Sequence, residues 1–224
     1  MITKTSEKKP AALNDWTYHY LKEKILNLEI KPGEQIHIED FIEKLEVSRT
    51  PIREAFLRLA NESLIEIKPR VGYFVSEITE HDIRDLFEAR EMFETRAARN
   101  AAELFSDKDL EKMKILIAES TKAVEKENLS KYLEIEIEFH NYLQKHIQNK
   151  RILAFMDSLN DLTYRERVLS LQSEDNVKLT LIEHQRILDA LMKRDGNQAE
   201  WLMGEHLNNV CKRLIEYINE ESGF

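Results

Sequence analysis

Beyond Val75 the chain shows no strand-like alternation; its apolar residues recur every three or four positions in successive blocks. That spacing lays them along one face of an α-helix. A series of such stripes can be buried only against one another, so this part of the chain is expected to form an all-α antiparallel helical bundle. Six helices are read, over about 80–104, 107–127, 130–148, 150–171, 176–194 and 197–220, with Thr79 and Ser106 as caps and Asp195-Gly196 as a turn. A content of only 5 Gly and 4 Pro in 224 residues suits a mainly α protein.

The first 76 residues read differently. Asn14 can cap a helix over roughly 15–28 that places Trp16, Tyr20, Ile25 and Leu28 near helical spacing, and Lys31-Pro32-Gly33 stops it. A short helix from about Ile38 to Leu45 follows, then a third from Ser48 or Thr50 to Asn61 with Pro51 in its first turn. Ile52, Ala55, Phe56 and Leu59 form the buried stripe of that helix, so Ser48, Arg49, Thr50 and Arg53 stay exposed at its start. Two short helices, a tight turn and a third with a basic tip describe a helix-turn-helix. Two strands, 64–68 and 72–75, joined at Pro69-Arg70-Val71, then form a hairpin wing carrying Lys68 and Arg70 at its tip. The expected organisation is a winged helix-turn-helix over 1–76 and a helical ligand-binding and dimerisation bundle over 77–224.

A net charge of −9 argues at first against nucleic acid. Residues 1–76, however, hold equal numbers of acidic and basic side chains, so the acidity belongs to the bundle. Arg49, Arg53, Arg58, Lys68 and Arg70 gather in the second half of the first domain, where a DNA face would lie. The single cysteine, Cys211, excludes an internal disulfide, and no apolar run approaches the ~20 residues of a membrane span. With nothing resembling a secretory signal, a cytoplasmic protein without membrane contact is expected.

Three bundle helices turn a histidine inward. His140 shares a face with Leu133, Ile137, Leu143 and Ile147, with Glu136 one turn before it; His184 lies among Val177, Leu181, Leu188 and Leu191; His206 lies among Leu202, Met203, Val210 and Leu214. Several imidazoles and a carboxylate in one core are costly unless they share a proton network or a cation. Arg90 falls on the inward side of its helix, where its partner is either Glu94 or a carboxylate ligand. Arg165 lies near Leu162 and Leu169, beside Glu166 and Arg167, which suggest a solvated stretch.

The run Ser48-Arg49-Thr50-Pro51-Ile52-Arg53-Glu54-Ala55-Phe56-Leu57-Arg58-Leu59, with Arg70-Val71-Gly72-Tyr73-Phe74-Val75, resembles the GntR family of bacterial regulators. Arg90-Glu91-Met92-Phe93-Glu94, Glu136-x-x-Phe139-His140, Glu183-His184 and Met203-x-x-His206-Leu207 resemble the ligand-binding domain of its FadR subfamily, in the six-helix VanR-like branch. The resemblance implies DNA contacts from Ser48, Arg49, Thr50 and Arg53, with Arg70 and Gly72 in the wing; Arg58 and Lys68 join this face from the basic cluster alone. It also implies a divalent metal on His140, His184 and His206, with Glu136 where the family typically has aspartate. Zn²⁺, Ni²⁺ and Mn²⁺ all suit such ligands. A small carboxylate effector would bind with Arg90 and Arg165. Glu46 and Ser63 stand where the family usually has glycine, and Glu39 where some members place a DNA-contacting arginine.

The chain is therefore expected to be a regulator, a repressor in the leading reading, that binds a palindromic double-stranded DNA operator as a homodimer and responds to an organic acid. Three alternatives differ in the bundle: a metal-free effector pocket, a metal-dependent hydrolase joined to a DNA-binding module, and a bundle that serves only dimerisation.

Overall fold

The computed structural model describes residues 13–221, which fall into two compact units divided between Ile78 and Thr79. The first unit holds α1 (Leu13–Leu26), β1 (Gln35–Ile36), α2 (Ile38–Leu45), α3 (Arg49–Asn61), β2 (Ile65–Lys68) and β3 (Gly72–Val75). Its core is built where the stripes of α1 and α3 meet the sheet: Leu21, Ile25, Ile52, Phe56, Leu59 and Leu64 are fully buried. Phe56 links the layers, edge-on to Phe41 of α2 and 4.9 Å from the ring of Tyr73 in β3.

The hairpin pairs Ile65 with Val75 and Lys68 with Gly72, and β1 adds to the other edge of β3, giving the antiparallel order β1-β3-β2. The two-residue β1 was not expected, because a pair this short has no alternation to read. Gly72 is required here. Its φ is +145°, and a Cβ would come within 2.9 Å of Gln35 Nε2, the amide that donates to the Val71 carbonyl and ties β1 to the wing.

α1 begins one residue before Asn14 and ends at Leu26, earlier than the sequence suggested. Asn14 therefore lies inside the helix, with its side chain donating to Glu54, and Leu28 takes a left-handed φ of 57° past the end. The buried face carries Thr17, Tyr18, Leu21 and Ile25, while Trp16 and Tyr20 stack on each other half-buried.

Glu46 and Ser63 have φ values of 49° and 60°. A side chain in this region costs about 1–2 kcal/mol, against roughly 0.5–1 kcal/mol of chain entropy for glycine. Ser63→Gly should therefore stabilise the protein by about 0.5–1 kcal/mol, seen as a higher urea midpoint at unchanged slope. A lower midpoint would show that the turn is not strained.

The second unit holds α4 (Glu80–Leu104), α5 (Asp107–Glu125), α6 (Leu129–Leu143), α7 (Lys150–Ser170), α8 (Glu174–Met192) and α9 (Gly196–Glu221), with a 3₁₀ turn over Gln144–His146. Thr79 and Ser106 each close a capping box, accepting from the N–H of Asp82 and Asp109 while those carboxylates accept from the cap N–H. α6 stops at Leu143, short of the expected 148, and tightens into the 3₁₀ turn. Asp109 fixes this corner: it accepts from Tyr142 Oη at 2.7 Å and from Lys145 Nζ at 2.5 Å. The apolar faces of α4, α5, α6, α8 and α9 close around Ala98, Ala101, Met113, Leu116, Ile135, Ile187, Leu191 and Leu214. None of the described helices is long and apolar enough to cross a membrane.

Candidate DNA-binding face and candidate metal centre

Ser48 is the N-cap of α3 but spends no side-chain hydrogen bond on capping, and Ser48, Arg49, Thr50 and Arg53 are all exposed. The helix tip is thus a cluster of hydroxyl and guanidinium donors standing away from the core. Arg49 Nη2 donates to Glu39 Oε1 of α2 at 2.6 Å, so the acidic residue at the start of α2 holds the arginine at the start of α3. On the wing, Lys68 lies over the Phe74 ring and 3.4 Å from Glu66, and exposed Arg70 occupies the turn with φ 64°.

Arg58 lies elsewhere. Nine residues after Arg49, it is half a turn away around α3 and faces α1. There it donates to Asp15 at 2.8 Å, with its guanidinium 3.7 Å from the Tyr18 ring centroid. That geometry places Arg58 against α1, away from Ser48, Arg49, Thr50 and Arg53.

In the second unit His140, His184 and His206 meet at one point, offering ligand atoms all within 4.8 Å of one another. Each is almost wholly buried, and Glu136, one turn before His140, stands beside the group, facing His140 and His184. Glu136 Oε1 lies 3.1 Å from His140 Nε2, and its Oε2 lies 3.4 Å from His184 Nδ1. Behind the histidines stand two further carboxylates. His140 Nδ1 contacts Glu94 Oε2 at 2.5 Å, and His206 Nδ1 contacts Glu183 Oε2 at 2.8 Å. Glu94 is bonded by Arg90, and Glu183 by Arg213.

These outer carboxylates fix which ring nitrogen carries a proton. With Nδ1–H of His206 donated to Glu183, its Nε2 presents a lone pair to His184 Nε2, 3.4 Å away. If His184 donates from Nε2, its Nδ1 lone pair faces the Glu136 carboxylate instead. No neutral tautomer of His184 satisfies both sides. His140 Nε2 and Glu136 Oε2 are moreover buried without a hydrogen-bond partner. Buried polar atoms left this way cost about 1–3 kcal/mol each. A cation resolves all these conflicts, and 3.4 Å is close to the separation of two nitrogens each about 2.1 Å from a shared ion. The donor set fits a divalent metal.

The electrostatics agree. Burial holds His184 well below its ordinary value, and burial likewise lowers His206, so both rings are neutral with lone pairs to offer. At His140 burial is outweighed by Glu94 and Glu136, which raise it. Glu183 is brought to about 2, against the opposing effect of burial, by hydrogen bonds from His206 and Arg213.

Arg90 faces inward and bonds two carboxylates, Glu94 through Nε and Glu166 through Nη1, each at 2.7 Å. Glu166 and Arg167 are buried, contrary to the solvated stretch expected from their charges. The buried stretch of α7 runs through Thr163, Arg165, Glu166, Arg167, Val168 and Leu169. Arg165 is also buried, and burial lowers its proton affinity to about 10 against the opposing charge of Asp82 at the start of α4. Arg167 is the α7 arginine that reaches the cluster, with Nε 3.7 Å from Glu136 Oε1.

Residues 13–75 match the family described as bacterial regulatory proteins, gntR family, and residues 85–209 match the FCD domain. The chain is a GntR-family regulator with an FCD domain. It is 27% identical over 222 residues to the HTH-type transcriptional repressor RspR of Escherichia coli K12, covering 99% of this chain and 97% of that one. It is also 27% identical to the HTH-type transcriptional regulator LutR of Bacillus subtilis, over 88% of this chain and 98% of LutR. Among solved structures, a GntR transcriptional regulator from Rhodococcus sp. RHA1 shares the fold with a TM-score of 0.72 at 21% identity, covering 91% and 97% of the two chains. Escherichia coli McbR/YncC does so with a TM-score of 0.71 at 18% identity, covering 93% and 100%. The GntR-family regulator is a DNA-binding protein and not an enzyme, and the hydrolase alternative falls away.

Proposed function

We propose that this GntR-family regulator is a metal-dependent, effector-responsive repressor that binds a palindromic operator as a homodimer in the cytoplasm. The observation that carries the metal is the convergence of His140, His184 and His206 on one another, with Glu136 beside His140 and His184 and buried polar atoms left unsatisfied there. Zn²⁺, Ni²⁺ or Mn²⁺ bound there would supply a positive charge for an organic acid. Arg90, Glu94 and Glu183 hold the ligating groups in place. Repression is proposed from the likeness to RspR, and the dimer from the symmetry that a palindromic operator demands. Effector binding would change operator affinity through a coupling of about 1–3 kcal/mol. The test is metal analysis of untagged protein followed by DNase footprinting before and after chelation. Substoichiometric metal, or operator affinity and effector response both untouched by chelation, rejects the metal-dependent reading.

On the DNA face, Ser48, Arg49, Thr50 and Arg53 are proposed to read bases and phosphates, with Lys68, Arg70 and the Gly72 turn on the flanking backbone. Arg49→Ala should cost about 1–3 kcal/mol of operator affinity and relax preference at one base pair. Glu39→Ala should free Arg49 and raise non-specific binding, measured by fluorescence anisotropy on operator and scrambled duplexes. Equal weakening on both duplexes by Arg49→Ala would reduce Arg49 to a phosphate contact.

A further inference from the structure

α4 carries an exposed ridge between two neighbouring helices. Along one side runs α9, with Glu200 paired to Arg99 at 2.9 Å and Gly204 beside Glu91 and Thr95. Along the other lies α7, where the Phe155 ring meets Phe93 with centroids 5.3 Å apart. On the ridge, helical spacing lines up Glu88, Met92 and Arg96. All three are exposed, and Met92 is the most exposed large apolar side chain of α4, at 69%. The flanking helices add Trp201 at 58% and Phe155 at 45%. An apolar cluster rimmed by charge marks a protein contact.

The order of the charges identifies the partner. Glu88 and Arg96 stand four residues to either side of Met92, about 6 Å away along the helix axis in each direction. Neither has an ion-pair partner among the described residues, whereas on the same helix Arg84 holds Glu80, and Arg99 holds Glu103 and Glu200. An acid, an apolar centre and a base in that order form a surface that complements itself when reversed. A two-fold axis through Met92, perpendicular to α4, sets Glu88 opposite the Arg96 of a second copy and Arg96 opposite its Glu88. The two Met92 side chains then meet between the pairs. Such isologous contact is what a two-fold dimer requires.

We propose that the α4 ridge, flanked by α9 and the first half of α7, is the face on which two copies of this chain dimerise, with their α4 helices antiparallel. The proposal rests on the homodimer reading above and names its surface. α4 has 25 residues and is about 37 Å long. Three neighbouring helices about 8–10 Å apart then offer enough area for the roughly 800 Å² per partner of a stable interface.

The test is sedimentation velocity of the full-length protein over a concentration series. The wild type should be a dimer. Met92→Arg, which sets two guanidinium groups against each other on the axis, should raise the dissociation constant at least about tenfold. Glu88→Arg and Arg96→Glu should each do the same, because both attractions become repulsions. Mixing these two charge variants should restore a dimer, since each supplies the charge that the other now lacks. Misfolding could not be rescued in this way, and helix content by circular dichroism provides a second control. Survival of the dimer in Glu88→Arg or Arg96→Glu, or a mixture that stays monomeric, overturns the face and leaves the homodimer reading standing. A wild type that is monomeric throughout the series overturns both.

Discussion

Replacing Arg90 with methionine should destabilise the second unit by about 3–5 kcal/mol, the usual cost of removing one partner from a buried ion pair. Methionine fills much the same volume, so the loss is electrostatic rather than a cavity. Burial by itself would lower the arginine's proton affinity, yet Glu94 and Glu166 raise it, which shows how strongly they hold it. Without Arg90, Glu166 loses its 2.7 Å bond and Glu94 keeps only His140 and the more distant Arg167. The ring of His140 would lose its orienting partner as Glu94 relaxes, so metal affinity should fall with stability. Urea unfolding of metal-free protein isolates the first effect. Arg90→Met/Glu166→Gln, which removes one orphaned charge, should recover part of the loss. A cost under about 1 kcal/mol would mean that water already reaches these carboxylates, placing Arg90 with the surface pairs.

How far this centre was legible in the sequence follows from what helical periodicity reports. It gave the inward faces of α6, α8 and α9, hence three histidines and Glu136, because a stripe predicts direction. It also placed Arg90 inward. Direction along one helix does not say which residue of another helix it meets. Glu183 enters the sequence reading only as part of a motif, because a stripe centred on His184 does not show that the residue before it meets His206 and Arg213 of α9. On α7 the charges of Glu166 and Arg167 suggest exposure, yet both are buried because their ion-pair partners come from other helices, Arg90 of α4 and Glu136 of α6. The same limit applies in the first unit. The helix-turn-helix and wing were readable from turns and stripes, while the Arg58–Asp15 bond and the Glu39–Arg49 pair depend on packing between helices. Glu46 and Ser63 were legible for a different reason, since a backbone that needs positive φ leaves a mark wherever glycine is customary.

Chelation of the metal should lower the stability of the wild-type protein by about 2.7 kcal/mol or more when the ion is present at a hundred times its dissociation constant. It should leave His184→Ala unchanged. The variant removes one convergent ring and with it the ligand set, so it starts near the chelated wild type and has no further stabilisation to lose. The sign with pH follows from the histidines. In metal-free protein His140 is raised above 6.5 by Glu94 and Glu136 against burial, so its stabilisation is full below 6.5 and fades as pH rises through the raised value. His184 and His206 are lowered by burial, so their stabilisation is present above 6.5 and lost as pH falls. Metal and proton compete for His140, and an ion bound there replaces the stabilisation that the proton gives up on the alkaline side. The chelation effect should therefore be larger near pH 8 than near pH 6 in thermal unfolding followed by circular dichroism. A chelation effect of equal size in His184→Ala and wild type would place the ion elsewhere, and one that shrinks as pH rises would remove His140 from its ligands.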